Sequence, residues 1–160
     1  MTTMDPAAAL VATLAGRGES LAAAESLTGG RVAAAVTAVP GSSDVFVGGV
    51  VSYATRVKVE VLGVPVSVVE GDGVVSASCA RAMAEGARRV LGSTWAVATT
   101  GVAGPGPHDG VPAGTVYVGL AGPSGSRAEL LRLDGGRAEV QEEAARRAVE
   151  SLAREAGALG

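Results

Sequence analysis

The sequence is poor in the residue types on which several common site chemistries depend. Its 160 residues include one cysteine (Cys79), one histidine (His108), one lysine (Lys58) and only four aromatic side chains. A single cysteine forms neither an internal disulfide nor a cysteine-rich zinc site, and such scarcity is typical of a reducing compartment. Four aromatic residues are too few to build the stacking platforms that hold single-stranded nucleic acid. These absences argue against a disulfide scaffold, a structural zinc site and a nucleic-acid partner.

Excess positive charge and long apolar runs are absent as well. Thirteen Lys and Arg residues oppose sixteen Asp and Glu residues, for a formal net charge of −3, so the basic excess that drives binding to phosphate backbones is missing. No apolar run approaches the roughly 18 residues of a membrane-spanning helix, and Met1–Pro6 lacks the basic start of a secretory signal. We therefore expect a cytoplasmic protein whose partners are neither membranes nor nucleic acids.

Helical and strand patterns alternate along the whole chain. This alternation predicts one α/β domain over residues 1–160 with a mixed sheet, because the last two strands form an antiparallel pair. Asp5 and Ser76 are predicted helix N-caps, and Thr55 is predicted to cap a short helix that carries Lys58. The Val- and Gly-rich segment 45–54 is predicted to be a central strand, and segment 64–72 is ambiguous.

Three loops carry the features of a ligand site, since ligands of open α/β sheets bind in the loops beyond the carboxyl ends of the strands. Two of them follow predicted strands and combine hydroxyls with glycines, and the first also opens a helix whose free N–H groups attract anions. The third opens the last helix with an arginine suited to phosphate, although a surface ion pair is an equal alternative, and an ordinary capped turn is the alternative for the first two. The candidate binding residues are Ser26, Thr28, Gly29, Gly30, Thr100, Gly101 and Arg137.

The glycines do not follow the spacing of a known nucleotide fingerprint. No Gly-Lys-Ser/Thr sequence is present, and the Gly104–Pro107 run lacks the dinucleotide-binding pattern. ATP and NAD sites are therefore not indicated. The three loops offer a few hydrogen-bond donors but no long basic groove. This predicts a small anionic ligand with one phosphate.

Two routes to a catalytic nucleophile are open in this composition. A Ser-His-Asp triad would need His108, which lies in a Gly/Pro loop where an exposed histidine is the usual outcome. The other route is a serine activated by lysine, and Ser43 with Lys58 is the candidate pair. A lysine that acts as a base near neutral pH needs its pKa lowered by about three units. This shift corresponds to a destabilisation of the charged form by roughly 4 kcal/mol. Tyr53 could relay the proton or orient the lysine, with packing in the core as the equal alternative.

Motifs along nearly the whole chain resemble those of one known family. They are the segments 24–30 (AESLTGG), 40–43 (PGSS), 48–53 (GGVVSY) with Lys58, 62–64 (LGV), 73–76 (GVVS), 83–86 (MAEG) and 100–105 (TGVAGP). In this order they resemble the CinA C-terminal domain family, which includes stand-alone nicotinamide mononucleotide deamidases.

The resemblance implies a three-layer α/β/α domain that hydrolyses the carboxamide of nicotinamide mononucleotide without a metal or other cofactor. It implies Ser43 as nucleophile, Lys58 as general base and Tyr53 as the assisting hydroxyl. By the same resemblance Ser26 and Thr100 lie on the substrate and oxyanion side, and Arg137 anchors the phosphate. The expected partner is a phosphorylated pyridine nucleotide.

Some features keep other interpretations open. The loop Gly106–Gly110, which contains His108, replaces the Gly-Gly usual in the family and leaves the substrate fit open. A non-catalytic module that binds a nucleotide or a competence protein is the alternative function, and an amidase for another phosphorylated amide is a third. Because small domains with Gly-rich edges often self-associate, we also expect a homo-oligomer.

Overall fold

A five-stranded open sheet organises the chain, for which the computed structural model describes residues 3–160. Its strands are β1 (Leu21–Glu25), β2 (Phe46–Val51), β3 (Trp95–Gly101), β4 (Thr115–Gly122) and β5 (Gly125–Arg132). They lie in the order β2-β1-β3-β4-β5, with β2, β1 and β3 parallel and β4 and β5 antiparallel. The predicted mixed sheet with an antiparallel edge pair is confirmed. Met1 and Thr2, which the predicted domain also includes, lie outside the described residues.

Helices cover both faces of this sheet. They are α1 (Pro6–Arg17), α2 (Arg31–Thr37), α3 (Thr55–Glu60), α4 (Val66–Gly71), α5 (Ala77–Leu91) and α6 (Arg137–Glu155). One apolar core lies between the sheet and α1, α2 and α6, and a second lies between the sheet and α5. The predicted α/β/α layering is therefore confirmed. Between residues 3 and 160, no helix combines the length and apolarity needed to cross a membrane.

Small side chains on β1 allow the two helical layers to lie close to the sheet. All five residues of this strand are buried, with Leu21 and Ala23 in one core and Ala22 and Ala24 in the other. A strand that is buried on both faces loses the apolar–polar alternation of a half-exposed strand. On β4, a Cβ at Gly119 would lie 2.1 Å from the Ala80 carbonyl oxygen of α5, so this contact requires glycine.

The helix boundaries follow local signals at most of the predicted positions. The Asp5 carboxylate accepts a hydrogen bond from the Ala8 N–H at the start of α1, and the Ser76 hydroxyl accepts one from Cys79 at the start of α5, as predicted. Thr55 was expected as a cap, but it is the first residue of α3, and Ala54 occupies the N-cap position without a side-chain bond. The ambiguous segment 64–72 contains α4.

The prediction of a central position for segment 45–54 is wrong, because β2 is an edge strand that pairs only with β1. Its side chains alternate between half-buried and exposed, and Val47 and Val51 are each about half exposed. An uncharged Val/Gly run resembles a buried parallel strand in composition, and the sequence contains no direct signal for lateral order in a sheet.

Two glycine substitutions in helices test the packing against α5. A Cβ at Gly86 would lie 2.0 Å from the Leu62 carbonyl oxygen, whereas a Cβ at Gly16 in α1 meets nothing within 4 Å. We expect Gly86→Ala to lower the free energy of unfolding by about 2 kcal/mol through overpacking, and Gly16→Ala to raise it by about 0.5–1 kcal/mol. Urea unfolding measures both, and equal effects of the same sign would contradict the close approach at Gly86.

Candidate active site

A cavity of about 580 Å³ lies beyond the carboxyl ends of β1, β2 and β3. The loop after β1 contributes Ser26, the segment after β2 contributes Tyr53 and Lys58, and α6 contributes Arg137 at its first turn. The loop after β3 supplies the remaining wall, from Thr100 to His108. Loops at the carboxyl ends of strands are where open α/β sheets bind their ligands, so this cavity is the candidate site.

The side chain of Lys58 is the most unusual feature of the cavity, because it is only 2% exposed and has no carboxylate partner. Its Nζ lies 2.9 Å from Ser26 Oγ, 2.7 Å from the Ser52 carbonyl oxygen and 3.1 Å from the Tyr53 carbonyl oxygen. Burial lowers the pKa of Lys58, and only an ionised Cys79 thiolate would oppose this effect. Since burial raises the pKa of the Cys79 thiol to about 11, that thiol is neutral near pH 7 and supplies no counter-charge.

The three contacts of Nζ define how a neutral Lys58 amine is oriented. The carbonyl oxygens of Ser52 and Tyr53 only accept hydrogen bonds, so the two N–H bonds of a neutral amine point at them. The remaining tetrahedral direction, which holds the lone pair, then faces Ser26 Oγ. Because a serine hydroxyl can donate, the pair is arranged for proton transfer from Ser26 to Lys58.

Backbone pairing between strands brings these two side chains together. The Ser26 N–H donates to the Thr99 carbonyl oxygen at 3.0 Å, which fixes Ser26 beside the end of β3. The Ser52 N–H donates to the Glu25 carbonyl oxygen at 2.7 Å, which holds the end of β2 beside the end of β1. Lys58 then reaches back from α3 to the site that these strand ends form.

The predicted pair of Ser43 and Lys58 does not form. Ser43 is exposed on a 3₁₀ turn, Ser42–Asp44, that precedes β2, whereas Ser52 and Lys58 follow this strand. Six residues of strand, at about 3.3 Å each, place roughly 20 Å between the two ends of β2. Ser26 directly follows β1, which is parallel to β2, so Ser26 and Lys58 lie at the same edge of the sheet.

The first candidate loop does not offer its helix N-terminus to an anion, because Glu25 already occupies it. The Glu25 carboxylate accepts from the N–H groups of Gly30, Val32 and Ala33 at 3.1, 2.8 and 3.0 Å. It also accepts the hydroxyl proton of Thr28, which is fully buried, at 2.6 Å. Thr28, Gly29 and Gly30, which the sequence predicts to bind a ligand, shape this turn, and none of the three lines the cavity.

Thr100 and Gly101 line the cavity at the end of β3. The Thr100 hydroxyl donates to the Val74 carbonyl oxygen at 2.7 Å and holds the segment before α5 against the site. A Cβ at Gly101 would lie 2.6 Å from the Thr115 carbonyl oxygen, so glycine allows β3 to approach β4 there. Because the Thr100 hydroxyl proton is donated to Val74, Thr100 contributes to the wall of the cavity.

Arg137 and Tyr53 form a bridge across the mouth of the cavity. One guanidinium nitrogen of Arg137 donates to the Gly104 carbonyl oxygen at 2.8 Å, and another donates to the Tyr53 hydroxyl at 3.3 Å. None of the ion pairs among residues 3–160 involves Arg137, so its charge faces the cavity without a carboxylate partner. Tyr53 is 63% exposed and is not a core residue, and it orients Lys58 through its backbone carbonyl.

Arg137 supplies a permanent positive charge at the cavity, and none of the described lining residues is an aspartate or glutamate. His108 is exposed at the mouth of the cavity, and its Nε2 lies 3.4 Å from the Asp109 carboxylate. It is not among the hydrogen-bond partners of Lys58. In the described part of the chain, no three His, Cys, Asp or Glu side chains are grouped as metal ligands. The site therefore favours an anionic ligand.

Comparisons with known proteins agree on one family. The model of the CinA C-terminal domain matches residues 4–156. A CinA-like protein from Synechococcus sp. is 55% identical over 120 residues, which cover 74% of this chain and 29% of that protein. One from Parasynechococcus marenigrum is 46% identical over 157 residues, 96% of this chain and 38% of that protein. The chain thus spans about a third of the length of the curated relatives that it matches.

Solved structures of similar length share the fold. A competence-damaged protein (CinA) superfamily protein from Klebsiella pneumoniae superposes with a TM-score of 0.91 at 31% identity, over 98% of this chain and 99% of that one. The competence/damage inducible protein CihA from Agrobacterium tumefaciens gives a TM-score of 0.87 at 33% identity, over 95% and 96% of the two chains. The motifs, the fold and these relatives agree: the chain belongs to the CinA C-terminal domain family.

Proposed function

We propose that this domain is a serine–lysine amidohydrolase that converts nicotinamide mononucleotide to nicotinate mononucleotide and ammonia. Ser26 is the nucleophile in this proposal, in place of Ser43, and Lys58 is the general base. The observation that carries the proposal is the buried Nζ of Lys58, which contacts two carbonyl oxygens and the Ser26 hydroxyl. This set of contacts aims the lone pair of a neutral amine at the serine proton.

The proposed reaction proceeds through an acyl-enzyme. Ser26 Oγ attacks the carboxamide carbon while its proton passes to Lys58 Nζ, and a tetrahedral intermediate forms. When the C–N bond breaks, the Lys58 ammonium returns that proton to the leaving nitrogen, which departs as ammonia. Water then attacks the Ser26 ester and gives a proton to Lys58. As the ester C–O bond breaks, the Lys58 ammonium returns this proton to Ser26 Oγ, which releases the carboxylic acid and restores Ser26 and the neutral amine.

The substrate is supported by the charge of the cavity and by the family motifs. Arg137 offers a guanidinium without a carboxylate partner at the mouth, which suits a phosphate monoester. A volume of about 580 Å³ is within the range of small-molecule sites. A pyridinium ring beside Lys58 also favours the neutral amine, because two positive charges at close range repel each other.

Replacement of Ser26 distinguishes the two serines. We expect Ser26→Ala to lower ammonia release from nicotinamide mononucleotide at least 1,000-fold, because no other hydroxyl contacts Lys58 Nζ among the described residues. Ser43→Ala is the matched control and retains wild-type turnover, since Ser43 is exposed at the other end of β2. Full activity of Ser26→Ala contradicts the assignment of Ser26 as the nucleophile. Tight binding of the mononucleotide by wild-type protein without ammonia release supports a non-catalytic nucleotide-binding module.

The pH dependence of turnover tests Lys58. Because burial lowers its pKa below 10.5, the active neutral amine forms as pH rises through that lowered value, so kcat/KM increases with pH there. Lys58→Arg abolishes turnover because a guanidinium stays protonated. Arg56→Ala, which changes an exposed residue of the same helix, preserves both the rate and the profile. A wild-type kcat/KM that is constant from pH 5 to pH 10 would contradict the assignment of Lys58 as the base.

Removal of the Arg137 guanidinium tests the phosphate contact. We expect Arg137→Ala to raise KM for nicotinamide mononucleotide by about tenfold to a hundredfold, in line with the 1.5–3 kcal/mol of a charged hydrogen bond. KM for nicotinamide riboside, which lacks the phosphate, changes by less than threefold. Arg146→Ala, on the same helix but paired with Glu143 and Glu150, leaves both KM values unchanged. Equal KM increases for both substrates argue against a phosphate role.

A further inference from the structure

We propose that Glu25 is a positioning residue that fixes Ser26 for attack, through a buried chain of hydrogen bonds. The inference rests on the proposed function in one respect, which is that Ser26 is the nucleophile. Glu25 ends β1 and directly precedes Ser26, and it is only 2% exposed. A buried carboxylate beside a candidate nucleophile requires a physical explanation, because a charge is rarely buried without specific partners.

The partners of the Glu25 carboxylate are all hydrogen-bond donors. Oε1 accepts from the Thr28 hydroxyl and from the N–H groups of Gly30 and Val32, and Oε2 accepts from the N–H group of Ala33. Four donors and no acceptor form the set that an ionised carboxylate accepts. The carboxylate thereby fastens the turn after Ser26 and the first residues of α2 to the end of β1.

The hydroxyls beside Glu25 form a chain with a single direction. Because the Thr28 hydroxyl proton goes to Glu25 at 2.6 Å, the Thr28 oxygen accepts from the Thr99 hydroxyl, which lies 2.8 Å away. The Thr99 oxygen in turn lies 3.4 Å from the Ser26 backbone nitrogen, which also donates to the Thr99 carbonyl oxygen at 3.0 Å. An acceptor-only group at the end of the chain fixes the direction of every bond in it.

The backbone of Glu25 helps to hold Lys58, the partner of Ser26, through Ser52. Its carbonyl oxygen accepts from the Ser52 N–H at 2.7 Å and from the Ser52 hydroxyl at 3.2 Å. The Ser52 carbonyl oxygen is one of the two that orient Lys58 Nζ. One residue therefore fixes Ser26 through its side chain and Lys58 through its main chain, and a change of the side chain alone isolates the effect on Ser26.

The carboxylate does not act by pairing with the lysine. The three polar contacts of Lys58 Nζ are a hydroxyl and two carbonyl oxygens, and Glu25 is not among them. Glu25 is also not among the groups that shift the pKa of Lys58. Glu25 thus positions the nucleophile without stabilising the ammonium form of the base.

The test measures the reactivity of Ser26 with phenylmethanesulfonyl fluoride, a serine-directed electrophile, by mass spectrometry of the full chain. This readout is independent of the natural substrate. Glu25→Gln keeps the shape but places an NH₂ group against donors, and we expect it to lower the labelling rate of Ser26 at least 30-fold. In ammonia release from nicotinamide mononucleotide, the same variant lowers kcat by a similar factor while KM changes less than threefold.

Two further variants separate positioning from loss of stability. Thr28→Val removes one link of the hydroxyl chain but leaves three backbone donors on Glu25, and we expect labelling at least fivefold slower than wild type. This milder variant decides the question if Glu25→Gln does not fold. Asp5→Ala removes the N-cap of α1, remote from the cavity, and lowers the melting temperature while the labelling rate stays that of wild type.

The outcomes separate this inference from the proposed function. Wild-type labelling at Ser26 without ammonia release contradicts the proposed substrate and leaves the role of Glu25 intact. If the folded Glu25→Gln and Thr28→Val variants are labelled within twofold of the wild-type rate, Glu25 does not position Ser26 and the inference is overturned. Wild-type protein that is not labelled at Ser26 overturns both.

Discussion

The structure of the site depends on burial of one amine. A Lys58 side chain that is 2% exposed loses most of its hydration, and no carboxylate compensates for the ammonium charge. The uncharged form therefore gains in relative stability, and the carbonyl oxygens of Ser52 and Tyr53 set the direction of its lone pair. An equally buried lysine with a carboxylate partner would instead remain a protonated structural cation.

The parallel part of the sheet makes this arrangement possible. Carboxyl ends of neighbouring parallel strands meet at one edge of the sheet. The serine that follows β1 and the lysine in α3, after β2, therefore lie side by side although they are far apart in sequence. The antiparallel strands β4 and β5 extend the sheet away from the cavity and enlarge the core. Short side chains on β1 keep both helical layers close to the sheet.

The sequence predicted the features that depend on local signals. Asp5 and Ser76 were identified as helix caps because a cap is defined by a few neighbouring residues, and Lys58 was singled out by its scarcity. The prediction that β2 is a central strand was wrong, because strand order in a sheet is decided by long-range packing. Ser43 was paired with Lys58 on the family resemblance and on the expectation that the intervening strand brings the two helix ends together, whereas the extended β2 holds them at its opposite ends. Glu25 was overlooked, although a lone carboxylate at the end of an apolar strand is an unusual pattern.

The only lysine of the chain is also one of its most buried side chains, and this has a practical consequence. All other cationic side chains outside the single histidine are guanidiniums, which do not react with activated esters under the conditions used for amines. Between residues 3 and 160, lysine-directed crosslinkers and fluorescent esters consequently find no accessible side-chain target.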